Sequence, residues 1–240
     1  MNQILADRLK HLQDSIGQAC ARAGRSEKSV RLVIVTKTAP PELVKDVIRL
    51  GGVELGESRA QRLTQIAAEI NTFLSENADQ PDIPKAVHWH MIGHLQRNKV
   101  KTILKHCRMI QSVDTLRLAE EINTCAYKMG IHTDILLQVN CSGEPQKYGV
   151  PVGASLHLAE QIATMPNLRL TGLMTMAPLT KEADRVRACF ARAKEVFEDI
   201  RAEKIAGAKF KHLSMGMSQD YQIAIEEGAT MLRIGSALFA

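Results

Sequence analysis

The amino-acid sequence predicts an α/β protein built as a (β/α)8 TIM barrel, with an extra N-terminal helix before the first strand. Short apolar runs recur along the chain, the first of them, Leu32 to Val35, largely β-branched. Such runs read as strands buried on both faces, as in parallel sheets. Between them lie segments with apolar residues at three- and four-residue spacing, the pattern of helices that bury one face. The alternation yields eight strands, the number that closes a barrel. An open doubly wound sheet shares the same periodicity and is the competing architecture.

The first helix sets Leu5, Leu9, Leu12, Ile16 and Ala19 on one stripe and stops at Gly24. Residues 30–37, VRLVIVTK, form the first strand, punctuated by Pro40 and Pro41. The helix after it carries Leu43, Val47 and Leu50 and halts at Gly51-Gly52. A short strand over residues 53–57 closes on glycine, and a helix over 58–73 follows. Residues 75–85, SENADQPDIPK, are polar and proline-punctuated and read as a surface loop.

The third strand spans residues 88–93, with a helix starting near Gln96. The fourth spans 109–113, and Asp114 is the expected N-cap of a helix running to Met129. Strand five covers 133–140. A loop of turn formers, CSGEPQKYG, then leads through Pro151-Val152-Gly153 into another helix. Strand six covers 168–175, and its helix aligns Val186, Phe190, Ala193, Phe197 and Ile200. Strands seven and eight cover 210–214 and 230–234, with a short helix near 219–227 between them. No composition shift or linker interrupts this order, so residues 1–240 are expected to form one domain.

Composition narrows the function classes. The chain is 45% hydrophobic and 24% charged, as in ordinary soluble proteins; at 4% aromatic, its core must come from Leu, Ile, Val, Ala and Met. No apolar run approaches the roughly 20 residues that cross a bilayer, and the N-terminus lacks a signal-peptide hydrophobic region. Five scattered cysteines, with no Cys-x-x-Cys, suggest neither a disulfide framework nor a thiolate zinc site. A reducing cytoplasm is the expected compartment. A net charge of +5 suits an anionic partner. The basic residues are interspersed with acids and form no aromatic-rich patch, so a phosphorylated small molecule fits better than nucleic acid.

The chemistry-bearing residues fall where a barrel would place them. Lys37 ends the first strand on the face where barrels carry their sites. A lysine there is either a solvated loop charge or, with a depressed pKa, a Schiff-base nucleophile. After strand seven, Ser214-Met215-Gly216-Met217-Ser218 is a small-residue turn leading into a helix; its N–H groups can approach an anion, and Ser218 can cap the helix or bind phosphate. After strand eight, Arg233-Ile234-Gly235-Ser236 offers another glycine and hydroxyl. If Ile234 packs outward, Arg233 points inward, where it needs a partner such as Glu57. His88 and His90 share a strand face, as in barrel zinc hydrolases, but no acidic ligand completes a metal set. Walker, Gly-x-Ser-x-Gly and Gly-x-Gly-x-x-Gly motifs are absent.

Several segments together resemble one family. They are VTKT around Lys37, LGES ending at Ser58, WHMIGHLQRNK from Trp89, the loop through Ser142 and Gly149, GLMTMAP from Gly172, LSMGMSQD from Leu213, and the terminal MLRIGSALFA. Their order and near-complete coverage resemble the pyridoxal phosphate homeostasis proteins, single-barrel relatives of the alanine racemase N-terminal domain. The resemblance implies a fold-type III pyridoxal phosphate barrel without a second, β-rich domain.

It also implies roles. Lys37 would form the internal aldimine. Ser218, Gly235 and Ser236 would hold the phosphate, helped by the turn through Ser214, Met215, Gly216 and Met217. Arg233 would face the pyridine nitrogen; a guanidinium cannot accept a proton, so it disfavours ring protonation and weakens the electron sink. The implied function is to hold pyridoxal 5'-phosphate in intracellular cofactor homeostasis and amino- and keto-acid balance, without robust catalysis. The alternative is a racemase-like enzyme, which needs an acid/base group on each side of the α-carbon. Lys37 can serve one side, and no second group stands out. Pyridoxal-phosphate-dependent apo-enzymes are the candidate acceptors, nucleic acid and membrane are not expected partners, and the protein is expected to be a monomer or dimer. One departure is Ser58, which stands where the family commonly has asparagine near the cofactor.

Overall fold

The structure, a computed structural model, describes residues 2–240. Helix α1 (Gln3–Arg22) is capped by Asn2, whose side chain accepts from the Leu5 N–H at 3.2 Å. Strand β1 (Arg31–Val35), helix α2 (Pro41–Arg49), β2 (Glu54–Glu57), α3 (Ala60–Glu76) and β3 (His88–Met91) follow the predicted order. The helix expected to start near Gln96 begins later, at Val100. Arg97–Lys99 form a 3-10 turn, and α4 is the single turn Val100–Ile103.

Beyond it come β4 (Cys107–Val113), α5 (Leu116–Lys128) and β5 (Thr133–Asn140). The cap of α5 is Thr115, not Asp114: the Thr115 hydroxyl accepts from the Leu118 N–H at 3.3 Å. Asp114 turns instead to His94, whose Nδ1 lies 3.1 Å from its carboxylate. Two-residue strand β6 (Val150–Pro151) was not foreseen; it pairs in parallel with the end of β5. Helix α6 (Ser155–Ala163), β7 (Leu168–Met174), α7 (Ala183–Ala202), β8 (His212–Ser214), α8 (Tyr221–Glu226), β9 (Met231–Ile234) and the one-turn α9 (Ser236–Phe239) complete the order.

The strands run β4-β3-β2-β1-β9-β8-β7-β5, and β4 also pairs with β5. That last pairing closes the sheet, so the open doubly wound alternative is wrong. Every strand pairing is parallel.

Side chains alternate between two cores. Ile34, Leu55, Trp89, Ile110, Leu137, Leu173, Leu213, Leu232 and Ile234 join the large outer core under the helices. Met109, Leu136, Met174 and Met231 form a separate small cluster within the barrel. The alternation follows from the two-residue period of a strand. On the outside of the barrel, α1 packs against α8 and α9. Its Arg8 donates to the Leu238 carbonyl at 3.1 Å, and its Ser15 hydroxyl lies 2.7 Å from that of Tyr221.

Candidate functional site

Val35 ends β1 and is buried, whereas Lys37, two residues further on, is exposed at the C-terminal mouth of the barrel. The turn between them is stapled from outside the sheet. The Thr36 hydroxyl donates to Glu57 Oε1 at 2.6 Å, and Arg62 Nε approaches the same oxygen at 3.3 Å. Arg62 also donates to the carbonyls of Thr36 and Ala39. Burial raises the Glu57 pKa, with Thr36 and Arg62 pulling against it. Glu57 is therefore not the partner of Arg233. It lies on the outward side of β2 and anchors the turn that carries Lys37.

Arg233 does point inward, as expected once Ile234 packs outward. It is buried, donating from Nη1 to Ser214 Oγ at 2.7 Å and from Nη2 to the Thr175 carbonyl at 2.8 Å. Burial lowers its pKa to about 10, and the field of Asp220 opposes that shift. The guanidinium stays protonated at neutral pH without an ion-paired carboxylate. β9 lies between β1 and β8, so Arg233 stands between the strand leading to Lys37 and the strand leading to Ser218.

The turns after β8 and β9 are tied together: Ser218 Oγ accepts from the Ala237 N–H at 3.2 Å. Gly235 packs against β1 so closely that a Cβ there would lie 2.6 Å from the Val35 carbonyl oxygen. Asp220 accepts from the Met217 N–H and holds the serine turn; burial raises its pKa, while that N–H and Arg233 lower it. Ser218, Gly235 and the exposed Ser236 are thus gathered at one edge of the mouth. Ser214 and Met215 lie deeper. The Ser214 hydroxyl is buried and engaged by Arg233, and the Met215 N–H donates to Met231 at 3.1 Å while its side chain joins the outer core. Gly216 and Met217 connect these two levels.

The histidines divide between the two ends of the barrel. His88 and His90 share one carboxylate, Glu54, at 3.2 and 2.7 Å near the N-terminal ends of β2 and β3. His94 stacks on Tyr148 at the rim, with ring centroids 4.6 Å apart. A surface cavity of about 490 Å³, lined by Arg25, Lys194, Arg201, Lys211 and Thr230 among others, lies beside the starts of β8 and β9, away from Lys37.

Sequence reasoning missed Arg62, Gln111, Thr175 and Asp220. Gln111, a long polar side chain inside the apolar strand β4, was the one with a visible signal. The others owe their placement to contacts far away in the chain.

Residues 53–240 match the family model of the alanine racemase N-terminal domain. A pyridoxal phosphate homeostasis protein of Aquifex aeolicus is 37% identical over 233 residues, spanning 97% of this chain and 96% of that relative. The chain belongs to the pyridoxal phosphate homeostasis protein family. Two solved structures from other organisms share this barrel. A protein of unknown function from Bifidobacterium adolescentis is 32% identical with a TM-score of 0.92, covering 99% of this chain and 95% of its own. PipY of Synechococcus elongatus, solved with pyridoxal phosphate bound, is 30% identical with a TM-score of 0.81; the match covers 98% of this chain and all of PipY.

Proposed function

We propose that this protein binds pyridoxal 5'-phosphate at the C-terminal mouth of its barrel and serves intracellular homeostasis of that cofactor and amino- and keto-acid balance. The observation that carries this reading is Arg233, a solvent-shielded, permanently charged guanidinium between the Lys37 turn and the Ser218 turn. The family's name and the ligand of PipY point to the same cofactor. The residues present fit it. Lys37 offers an exposed amine; Ser218, Gly235 and Ser236 offer hydroxyls and close-approach backbone at the edge where two strands end. When bound, pyridoxal phosphate supplies an aldehyde that an amine can capture and a ring that can accept electrons.

In this reading Lys37 bonds the cofactor covalently, the Ser218 and Ser236 turns hold its phosphate, and Arg233 faces the ring nitrogen. A group that cannot take up a proton there favours holding over carbanion chemistry, as opposed to a racemase-like enzyme. The whole chain acts as one barrel domain, as a monomer or dimer in the cytoplasm, with pyridoxal-phosphate-dependent apo-enzymes as acceptors. Five free cysteines suit that compartment, and no helix among the described residues is long and apolar enough to cross a membrane.

Borohydride reduction of the loaded protein followed by peptide mapping tests the assignment. The adduct is expected on Lys37 alone, and Lys37→Ala is expected to lose it while changing stability by no more than about 0.5 kcal/mol, as for an exposed site. An adduct on another lysine would refute it. Rapid α-hydrogen exchange of an amino acid in deuterated water would favour the racemase-like reading instead.

A further inference from the structure

A line of polar side chains runs through the barrel interior from Arg233 to the opposite mouth. Arg233 Nη1 lies 2.7 Å from Ser214 Oγ, and Ser214 Oγ lies 2.7 Å from Gln111 Oε1. Gln111 Nε2 lies 2.9 Å from His90 Nδ1, and His90 Nε2 lies 2.7 Å from Glu54 Oε2. The residues come from five strands, β9, β8, β4, β3 and β2. Ser214, Gln111, His90 and Arg233 are all buried, so water cannot substitute for a broken link without opening the core.

The two ends impose a direction. A guanidinium can only donate, and a carboxylate can only accept. Every group between them must accept on the Arg233 side and donate on the Glu54 side. One arrangement satisfies all four bonds. The Ser214 hydroxyl donates to the Gln111 carbonyl oxygen, the Gln111 amide donates to Nδ1 of His90, and His90 carries its proton on Nε2 and donates to Glu54. Burial lowers the His90 pKa and so favours the neutral ring that this arrangement needs.

We infer that Ser214, Gln111, His90 and Glu54 are the positioning residues of Arg233, forming a one-directional hydrogen-bond chain through which a carboxylate at one mouth orients the guanidinium at the other. Without it, Arg233 would be a buried charge whose remaining hydrogen bond is to a neutral carbonyl, an arrangement that is costly in a protein interior. The chain transmits orientation, not protons, because arginine does not give one up. A proton moved to Nδ1 of His90 would leave two donors facing each other. Gln111 would then have to turn over, and its amide would compete with Arg233 for the Ser214 oxygen. The effect on the cofactor rests on the reading above, in which Arg233 faces the pyridine nitrogen; the chain itself does not.

The test uses nitrogen-15 NMR of the full-length protein free of cofactor, then absorption spectroscopy after loading with pyridoxal phosphate. The wild-type His90 ring is expected neutral with its proton on Nε2. Glu54→Gln is expected to populate both tautomers, because an amide can donate or accept, and to shift the Arg233 side-chain resonances. Gln111→Leu should shift the Arg233 resonances while leaving the Glu54 end bonded. Arg169→Gln, at the same mouth but hydrogen-bonded to Asp134 and not to the chain, should leave both signals in place. In loaded protein, Glu54→Gln and Gln111→Leu should move the absorption maximum, and Arg169→Gln should not.

A wild-type His90 that is protonated on Nδ1 or doubly protonated would overturn the inference. So would Arg233 resonances indifferent to both substitutions in folded protein. If the wild type takes up no pyridoxal phosphate, the cofactor reading fails, and the cofactor-free NMR still decides the chain.

Discussion

Gly216 illustrates how closely the candidate site is built against its own scaffold. Its φ of 92° is a conformation that residues with a side chain rarely adopt, and a Cβ there would lie 2.6 Å from that of Ala224. Alanine at this position must therefore strain the backbone and displace α8. Gly216→Ala is expected to cost about 1–3 kcal/mol, measurable as a lower urea midpoint, and to weaken the phosphate binding proposed for the adjoining Ser218 turn. An unchanged midpoint would mean that the turn has a second comfortable geometry. Arg233 is the complementary case. Strand alternation set it opposite Ile234, and the outward packing of Ile234 turned it inward; its partners Ser214 and Thr175 were not readable, because they come from separate strands.

Among the elements, α5 separates local from tertiary control. Both Asp114 and Thr115 are good capping residues, and nothing in their order decides between them. In the folded chain Asp114 is drawn toward His94, leaving the Thr115 hydroxyl to accept from Leu118. Thr115→Ala is expected to cost about 1 kcal/mol, read from thermal or urea unfolding, and Asp114→Ala is expected to leave the α5 cap intact. A larger loss of helix stability from Asp114→Ala would reverse that assignment. In the 3-10 turn before α4, Arg97 and Lys99 have exposed side chains, whereas Val100 and Ile103 of α4 are buried.

Across the whole molecule, the two mouths of the barrel differ in what they hold. The N-terminal mouth gathers Arg31, Glu54, His88, Asp134, Arg169 and His212 at strand starts. Burial tends to raise the Glu54 pKa, but the His90 hydrogen bond and charge, the His88 hydrogen bond and the Arg31 charge outweigh it and bring the pKa to about 2. Because burial keeps His90 neutral, its help to Glu54 at neutral pH is a hydrogen bond rather than a charge. His212 is pushed down to about 4 by burial, then by Arg31 and Lys211.

Between pH 6.5 and about 4 the unfolded chain therefore binds more protons at His212 than the native chain does, so stability falls as the pH is lowered. Glu54 extends the loss below pH 4.5, down to about pH 2. Glu57 and Asp220, whose pKa values burial raises, contribute with the opposite sign and soften the acid limb. Melting temperature is expected to drop from pH 7 to pH 4, and His212→Asn should lessen the slope between 6.5 and 4, to which the buried His90 contributes with the same sign. Identical slopes in the two proteins would exclude His212 as a source.

Strand and helix alternation, the opposite facing of Arg233 and Ile234 and the placement of Lys37 after the first strand were all determined by the sequence alone; which of that pair faces inward was not. Each depends on periods of two or 3.6 residues, which a linear chain displays directly. Tertiary structure alone decided that the sheet closes between β4 and β5, that Glu57 staples the Lys37 turn, and that Gln111 joins Ser214 to His90. Those pairings join residues from separate strands or turns, and a buried polar group takes whichever partner the closed barrel brings within reach.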